Sequence, residues 1–147
     1  MGCRVHYDAD STTVTGPTTN ALQGVSVDMN AISDTVMTLG VVALFAEGPT
    51  RITNVAHIRH KETDRIAALA CELRKFGASV IEFDDGLEIV PPKAFPENEI
   101  AIATYDDHRM AMSFAIAGLR VPGVVICDPE CVAKTYPGFF DDLERYC

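Results

Sequence analysis

The sequence predicts an α/β (α+β) fold, mixed sheets with helices packed on them, and three observations carry that expectation. Short β-branched runs alternate with longer stretches of helical periodicity. Segments early in the chain recur later at a nearly constant offset. The longest apolar run, inside VMTLGVVALFAEG, is too short to cross a bilayer, and no charged leader followed by an apolar stretch opens the chain.

Taken in order, GCRVHYDADSTTVTGP (2–17) alternates around an acidic turn and reads as a β-hairpin. VSVDM (25–29) is a strand and SDTVMTLGVVALFA (33–46) a helix. TRITNV (50–55) is the next strand. KETDRIAALACELRKFG (61–77) is a helix, because Ile66, Leu69, Ala70 and Leu73 recur at core-facing spacing. GASVIEFDDGLEIVPP (77–92) is a second hairpin, its acidic EFDDGLE turn expected in solvent. A strand at 99–105, a helix at DHRMAMSFAIAGL (107–119), a strand at VVICD (124–128) and a helix at PGFFDDLERYC (137–147) complete the reading.

The two hairpins match at one offset: Gly2 with Gly77, Val5 with Val80, Asp10 with Asp85, Val14 with Ile89, Pro17 with Pro92. The helix–strand segments match as well, Asp34 with Asp107, Met37 with Met110, Pro49 with Pro122 and Ile52 with Val125, which sets Lys61 opposite Lys134. A unit of roughly 70 to 75 residues therefore repeats, with parts at about 1–20 (partial), 21–95 and 96–147 (partial). The first hairpin lacks the strands and helices that precede the second, so the chain is expected to be a fragment that starts midway through a unit.

Composition narrows the function. The chain has 147 residues, 48% of them apolar, enough to bury a core. Lys and Arg number 12 against 21 Asp and Glu, a formal charge of -9, which disfavours nucleic acid and anionic membranes as partners. Any anion must be held by a few cations placed locally. Cys3, Cys71, Cys127, Cys131 and Cys147 are odd in number and lack CxxC spacing, which fits reduced thiols in a cytoplasmic protein. No third ligand completes a metal site around Cys127 and Cys131, or around His57 and His60, so no metal is expected.

The segment HIRHKETDRI sets Lys61 and Arg65 one turn apart at an expected helix start, where the macrodipole is positive. Like charges at that spacing add a few tenths of a kcal/mol of repulsion. At 100° per residue Lys61, Glu62 and Arg65 share one face. Either Glu62 and Asp64 satisfy the dipole while the cations reach into water, or an anion at the helix start compensates both cations and collects free backbone N–H groups. Arg109 repeats the pattern after Asp106, Asp107 and His108, with Asp107 as a plain N-cap. Asp34 is open to the same N-cap reading; Lys134 alone reads as a surface lysine. Equivalent helix starts facing one cleft would gather Asp34, Lys61, Glu62, Arg65, Arg109 and Lys134 on a common rim.

The SDTVMT, KETDR, YDDHRMAM and AKTYP segments, in this order and spacing, resemble the carboxyl-terminal part of the 5-enolpyruvylshikimate-3-phosphate (EPSP) synthase family, from about Gly2 to Tyr146. The resemblance implies the enolpyruvyl transferase fold: two lobes, each of three βαβαββ units, of which this chain holds about two from one lobe. It implies transfer of enolpyruvyl from phosphoenolpyruvate to the 5-hydroxyl of shikimate 3-phosphate by addition and elimination, without metal or organic cofactor, towards chorismate and aromatic amino acids. By similarity Asp34 contacts the shikimate hydroxyls and acts as a base, and Glu62 moves a proton at the phosphoenolpyruvate methylene. Arg65, Arg109 and Lys134, with His108 beside them, hold phosphoenolpyruvate; Lys61 binds shikimate 3-phosphate. His57 stands at a substrate contact where some relatives carry Asn. The partners implied are the two substrates and the amino-terminal lobe, without which the chain is expected to be inactive; the parent is expected to be a monomer. Two alternatives remain: a fragment of the enolpyruvyl transferase acting on UDP-N-acetylglucosamine, and a noncatalytic anion-binding module.

Overall fold

In the computed structural model, residues 1–19 and 21–146 are described. The strands are β1 (Arg4–Tyr7), β2 (Thr12–Thr15), β3 (Leu22–Gln23), β4 (Ser26–Asp28), β5 (Ala46–Glu47), β6 (Thr50–Thr53), β7 (Ser79–Phe83), β8 (Gly86–Val90), β9 (Ile100–Ile102) and β10 (Val124–Ile126). The α-helices are α1 (Val36–Ala43), α2 (Arg65–Lys75), α3 (His108–Gly118) and α4 (Phe139–Leu143). Shorter 3-10 turns precede three of the helices, at Asn30–Thr35, Ala56–His60 and Pro129–Lys134.

The sheets are mixed. A four-stranded sheet runs in the order β4-β6-β8-β7, with β4 parallel to β6 and the other pairings antiparallel. β9 pairs β10 and β3 pairs β5, both parallel. The alternating residues Ile52, Val80, Leu87 and Ile89 turn one face of the large sheet inward. Met37, Val41, Ile66, Leu69, Leu73 and Phe114 from α1, α2 and α3 close over it as one core. Phe76 stacks on Phe114 at 5.8 Å between centroids, tying α2 to α3. A smaller cluster of Ala111, Cys131 and Val132 packs the outer side of α3.

The repeat is visible in the strand registers. Arg4 faces Thr15 in the first hairpin as Ser79 faces Val90 in the second. Gly2 and Gly77 both take left-handed backbone, φ +89 and +85, at the entry to those hairpins, and a Cβ on either would meet the side chain of Pro17 or Pro92. The parallel pairing of Val27 with Ile52 returns in Ala101 with Val125. Unlike β7 and β8, β1 and β2 form a sheet of two strands whose residues are all exposed.

Several boundaries differ from the sequence expectation. The helix expected from residue 61 begins only at Arg65, because Asp64 is extended (φ -68, ψ 90) and its carboxylate accepts the Ala67 N–H as an N-cap. Lys61 and Glu62 precede the helix, so the shared helical face and the one-turn repulsion do not arise there. The helix expected over 33–46 is split into a 3-10 turn, kinked at non-helical Ile32, and α1; Ala46 passes into β5. Only Phe139–Leu143 of the last segment is α-helical, followed by a 3-10 turn at Glu144–Tyr146; Cys147 lies outside the described residues. The acidic turn is exposed at Asp84 and Asp85, as expected, and it also has a structural part: Asp85 accepts the Asn54 N–H at 3.0 Å through its side chain and the Val55 N–H at 2.8 Å through its carbonyl. Arg59 donates to the carbonyls of Asp84 and Phe83 beside it. Among the described residues, no helix is long and apolar enough to cross a membrane.

Candidate active site

Arg65 opens α2, and its guanidinium is drawn under the site rather than into water: the side chain is 1% exposed. A buried cation at a helix start must be answered by carboxylates, and here three segments supply them. Nε donates to Asp107 at 2.7 Å, Nη1 to Asp34 at 3.2 Å and Nη2 to Glu62 at 2.8 Å; Nη2 also reaches the second Asp107 oxygen at 3.3 Å. Asp107 is itself fully buried and accepts the Arg109 N–H at 2.9 Å, capping α3. Its N-cap expectation is met, and the same carboxylate anchors Arg65. Burial alone would raise the Asp107 pKa; hydrogen bonds and charge from Arg65 outweigh it and hold the carboxyl below its ordinary range. Burial likewise opposes charge on Arg65, but Asp107, Glu62 and Asp34 raise its pKa.

Asp34 is not a helix cap. Thr35 occupies that position of α1 without a side-chain cap bond, and the Asp34 carboxylate bridges two guanidinium groups instead, Arg65 on one oxygen and Arg109 at 2.9 Å on the other. Arg109 also donates to the Asp34 carbonyl at 3.2 Å. These groups are accessible: Asp34 is 51% exposed and Arg109 33%. A shallow hollow of about 170 Å³ opens beside them between α1 and α3, lined by Asp34, Thr38, Arg109, Met112, Ser113 and Phe139.

His108 is buried next to this cluster, and its Nδ1 has no partner among the described residues. Burial pushes the imidazole below its usual pKa; Arg109 and Lys134 push the same way, against the pull of Asp107 and Glu62. Lys134, in the 3-10 turn equivalent to the one before α2, donates to the Asp106 carbonyl at 3.3 Å. Lys61 is exposed ahead of α2. His57 lies at the rim with Nε2 2.8 Å from Ser33 Oγ. The fold thus joins Asp34, Glu62, Arg65 and Arg109 by direct bonds and sets His108 and Lys134 against them.

Sequence reasoning gave Asp107 only a capping role and passed over the loop that aims it. Tyr105 and Asp106 take consecutive left-handed backbone angles, φ +56 and +55. Such angles in non-glycine residues cost about 1–3 kcal/mol each and persist only where neighbours enforce them. Among the described residues no group of three or more His, Cys, Asp or Glu side chains is placed to hold a metal ion.

Fold and site together define a repeat-built α/β chain that gathers cations and carboxylates around the starts of α2 and α3. The profile of the EPSP synthase (3-phosphoshikimate 1-carboxyvinyltransferase) family matches residues 1–143, and the chain belongs to that family. It is 54% identical over 140 residues to the 3-phosphoshikimate 1-carboxyvinyltransferase of Trichormus variabilis, an alignment covering 95% of this chain and 32% of that protein. It is 51% identical to the Idiomarina loihiensis enzyme of the same name, over 100% of this chain and 33% of the relative. Its structure is similar to EPSP synthase from Acinetobacter baumannii, with a TM-score of 0.74 and 33% identity over 85% of this chain and 30% of that one. It also resembles the enolpyruvyl transferase NikO from Streptomyces tendae, TM-score 0.73 and 28% identity, over 99% of this chain and 32% of that one. The chain spans about a third of the length of the curated relatives it matches.

Proposed function

We propose that this chain is the carboxyl-terminal part of an enzyme that transfers the enolpyruvyl group of phosphoenolpyruvate to the 5-hydroxyl of shikimate 3-phosphate. The observation that supports this reading is the direct joining of Asp34, Glu62, Arg65 and Arg109 at the starts of α2 and α3, beside Lys134 and His108. Phosphoenolpyruvate carries a phosphate and a carboxylate, and forked guanidinium donors suit both. Arg109 and Lys134 take the anion, with Arg65 beneath them and His108 alongside. Addition protonates the methylene carbon and joins the sugar hydroxyl oxygen to the adjacent carbon; elimination removes a proton from the new methyl group and expels inorganic phosphate. Asp34 takes the hydroxyl proton, and Glu62 moves the proton at the methylene carbon. Lys61 and His57 contact shikimate 3-phosphate.

The remaining contacts come from an amino-terminal lobe, so the chain by itself is inactive; the complete enzyme works as a monomer in the cytoplasm. The test is phosphate release from phosphoenolpyruvate that depends on shikimate 3-phosphate, measured on the chain alone and after joining it to the amino-terminal lobe of a bacterial relative. Activity confined to the joined protein supports the proposal. In that protein Arg109→Ala weakens phosphoenolpyruvate binding by about 2–5 kcal/mol. A joined protein that consumes UDP-N-acetylglucosamine and ignores shikimate 3-phosphate, or one that binds phosphoenolpyruvate without turnover, refutes it.

A further inference from the structure

Glu72 lies on α2 between Ala70 and Leu73 of the apolar stripe, and it is fully buried although nothing in the proposed chemistry uses it. Its carboxylate accepts the Tyr105 hydroxyl at 2.9 Å and the Ala103 N–H at 3.1 Å. Lys75 Nζ, at 2.6 Å, balances its charge and also donates to the Ala101 carbonyl of β9 at 2.8 Å. Glu72 therefore grips the strand exit that leads into the left-handed pair Tyr105 and Asp106.

Arg65 grips the other end of the same loop through Asp107. Arg65 and Glu72 are two helical turns apart on one face of α2, a rise of about 10 Å. The loop from Ala103 to Asp107 runs along that face, held at both ends by opposite charges. Between the two grips lies the Asp106 carbonyl, which receives Lys134, and directly after the second begins α3, which carries His108 and Arg109.

We propose that Glu72 is a positioning residue: with Tyr105 it holds the left-handed turn that sets Lys134, His108 and Arg109 at the spacing required by the bound anion. A side chain that merely filled the core would be replaceable by an apolar one without consequence for ligand affinity. Glu72 instead acts through two oriented acceptor oxygens, which receive the Ala103 N–H and the Tyr105 hydroxyl of the loop. Its effect on substrate rests on the proposed function; its effect on loop geometry does not.

Two variants and two readouts separate those parts. Tyr105→Phe removes one bond from a half-exposed side chain and leaves the buried Glu72–Lys75 pair in place; Glu72→Gln keeps the shape of the side chain and one acceptor oxygen. In the chain itself, amide hydrogen exchange at Ala103, Asp107 and Arg109 is expected to quicken at least tenfold in both variants, with exchange in the middle of α2 unchanged. Exchange at wild-type rates in both overturns the proposal. In the protein joined to an amino-terminal lobe, KM for phosphoenolpyruvate is expected to rise about fivefold or more in Tyr105→Phe, with kcat changed less than twofold. An unchanged KM beside quickened exchange overturns the positioning role. If the unmodified joined protein has no activity with phosphoenolpyruvate, the functional reading fails, and titration of inorganic phosphate into the unmodified chain and Tyr105→Phe decides the positioning: weaker binding in the variant supports it and equal binding overturns it.

Discussion

Replacing Asp107 with Ala removes the one carboxylate that is fully buried in the site. It strands the Arg65 Nε–H, now paired at 2.7 Å, and the Arg109 N–H, now paired at 2.9 Å, in a region where Arg65 is 1% exposed. Breaking a buried pair by deleting one partner costs about 3–5 kcal/mol. Losing an N-cap costs about 0.5–2 kcal/mol. The two do not sum in full, since Glu62 at 2.8 Å and Asp34 at 3.2 Å still answer the guanidinium, and both share the same network. The expected loss is about 3–5 kcal/mol out of a total of about 5–15 for a domain of ordinary stability. Asp107→Asn keeps an oxygen for the Arg109 N–H and loses the charge, so it falls between Ala and wild type. Urea unfolding followed by far-ultraviolet circular dichroism at pH 7 measures each variant, with the slope against urea unchanged. A loss below about 1 kcal/mol in Asp107→Ala would refute the claim that Arg65 depends on this carboxylate.

Asp34→Asn frees Arg109 and part of Arg65 from a half-exposed competitor; inorganic phosphate should bind the chain tighter by about 0.2–1 kcal/mol, and weaker binding in calorimetry would count against an anion site at Arg109. His108 should titrate below 6.5 by NMR, because burial acts first and Arg109 and Lys134 add to it; Arg109→Gln should raise the midpoint and Glu62→Gln lower it. The depressed value has a sign for stability: the unfolded imidazole takes its proton first as pH falls through 6.5, so the stability due to neutral His108 is present above that pH and declines below it until the folded value is passed. Gly86→Ala should lower Tm sharply, since its Cβ would stand 2.0 Å from the Ile52 carbonyl oxygen, whereas Gly40→Ala meets only the movable end of Leu69 at 2.8 Å and should be tolerated better.

The parts of the fold legible in sequence were those with strong periodicity or a repeated partner. The stripe of Ile66, Leu69 and Leu73 announced α2, and the matched glycines and prolines announced both hairpins, though not their cross-strand register. Short elements escaped: β3 and β5 contain two residues each, too few for an alternation to register. Helix starts were misplaced because Lys61, Glu62 and Asp64 are all compatible with a first turn, and only the extended backbone of Asp64 shows which residue caps it. Within the site, charge at helix starts was readable while its pairing was not. Arg65 and Glu72 sit at the same angle on α2 with opposite charges, a pattern that flags two buried ionic groups on one face. Their partners come from the loop before α3, far away in sequence.

The cations of the site fall into two tiers, and the difference bears on how an anion enters. Arg65 is sealed among Asp107, Glu62 and Asp34, and an incoming phosphate would have to open a buried network to take it outright. Among the described residues Arg109 is answered on its surface by Asp34 alone, through a half-exposed pair of small net worth, and Lys134 by a backbone carbonyl at 3.3 Å. An anion therefore engages Arg109 and Lys134 at little cost, and in doing so displaces the Asp34 carboxylate from one of its two guanidinium partners. Under the proposed reaction, binding phosphoenolpyruvate would thus free one Asp34 oxygen for the substrate hydroxyl, while Arg65 would keep the side chain pointed at the site.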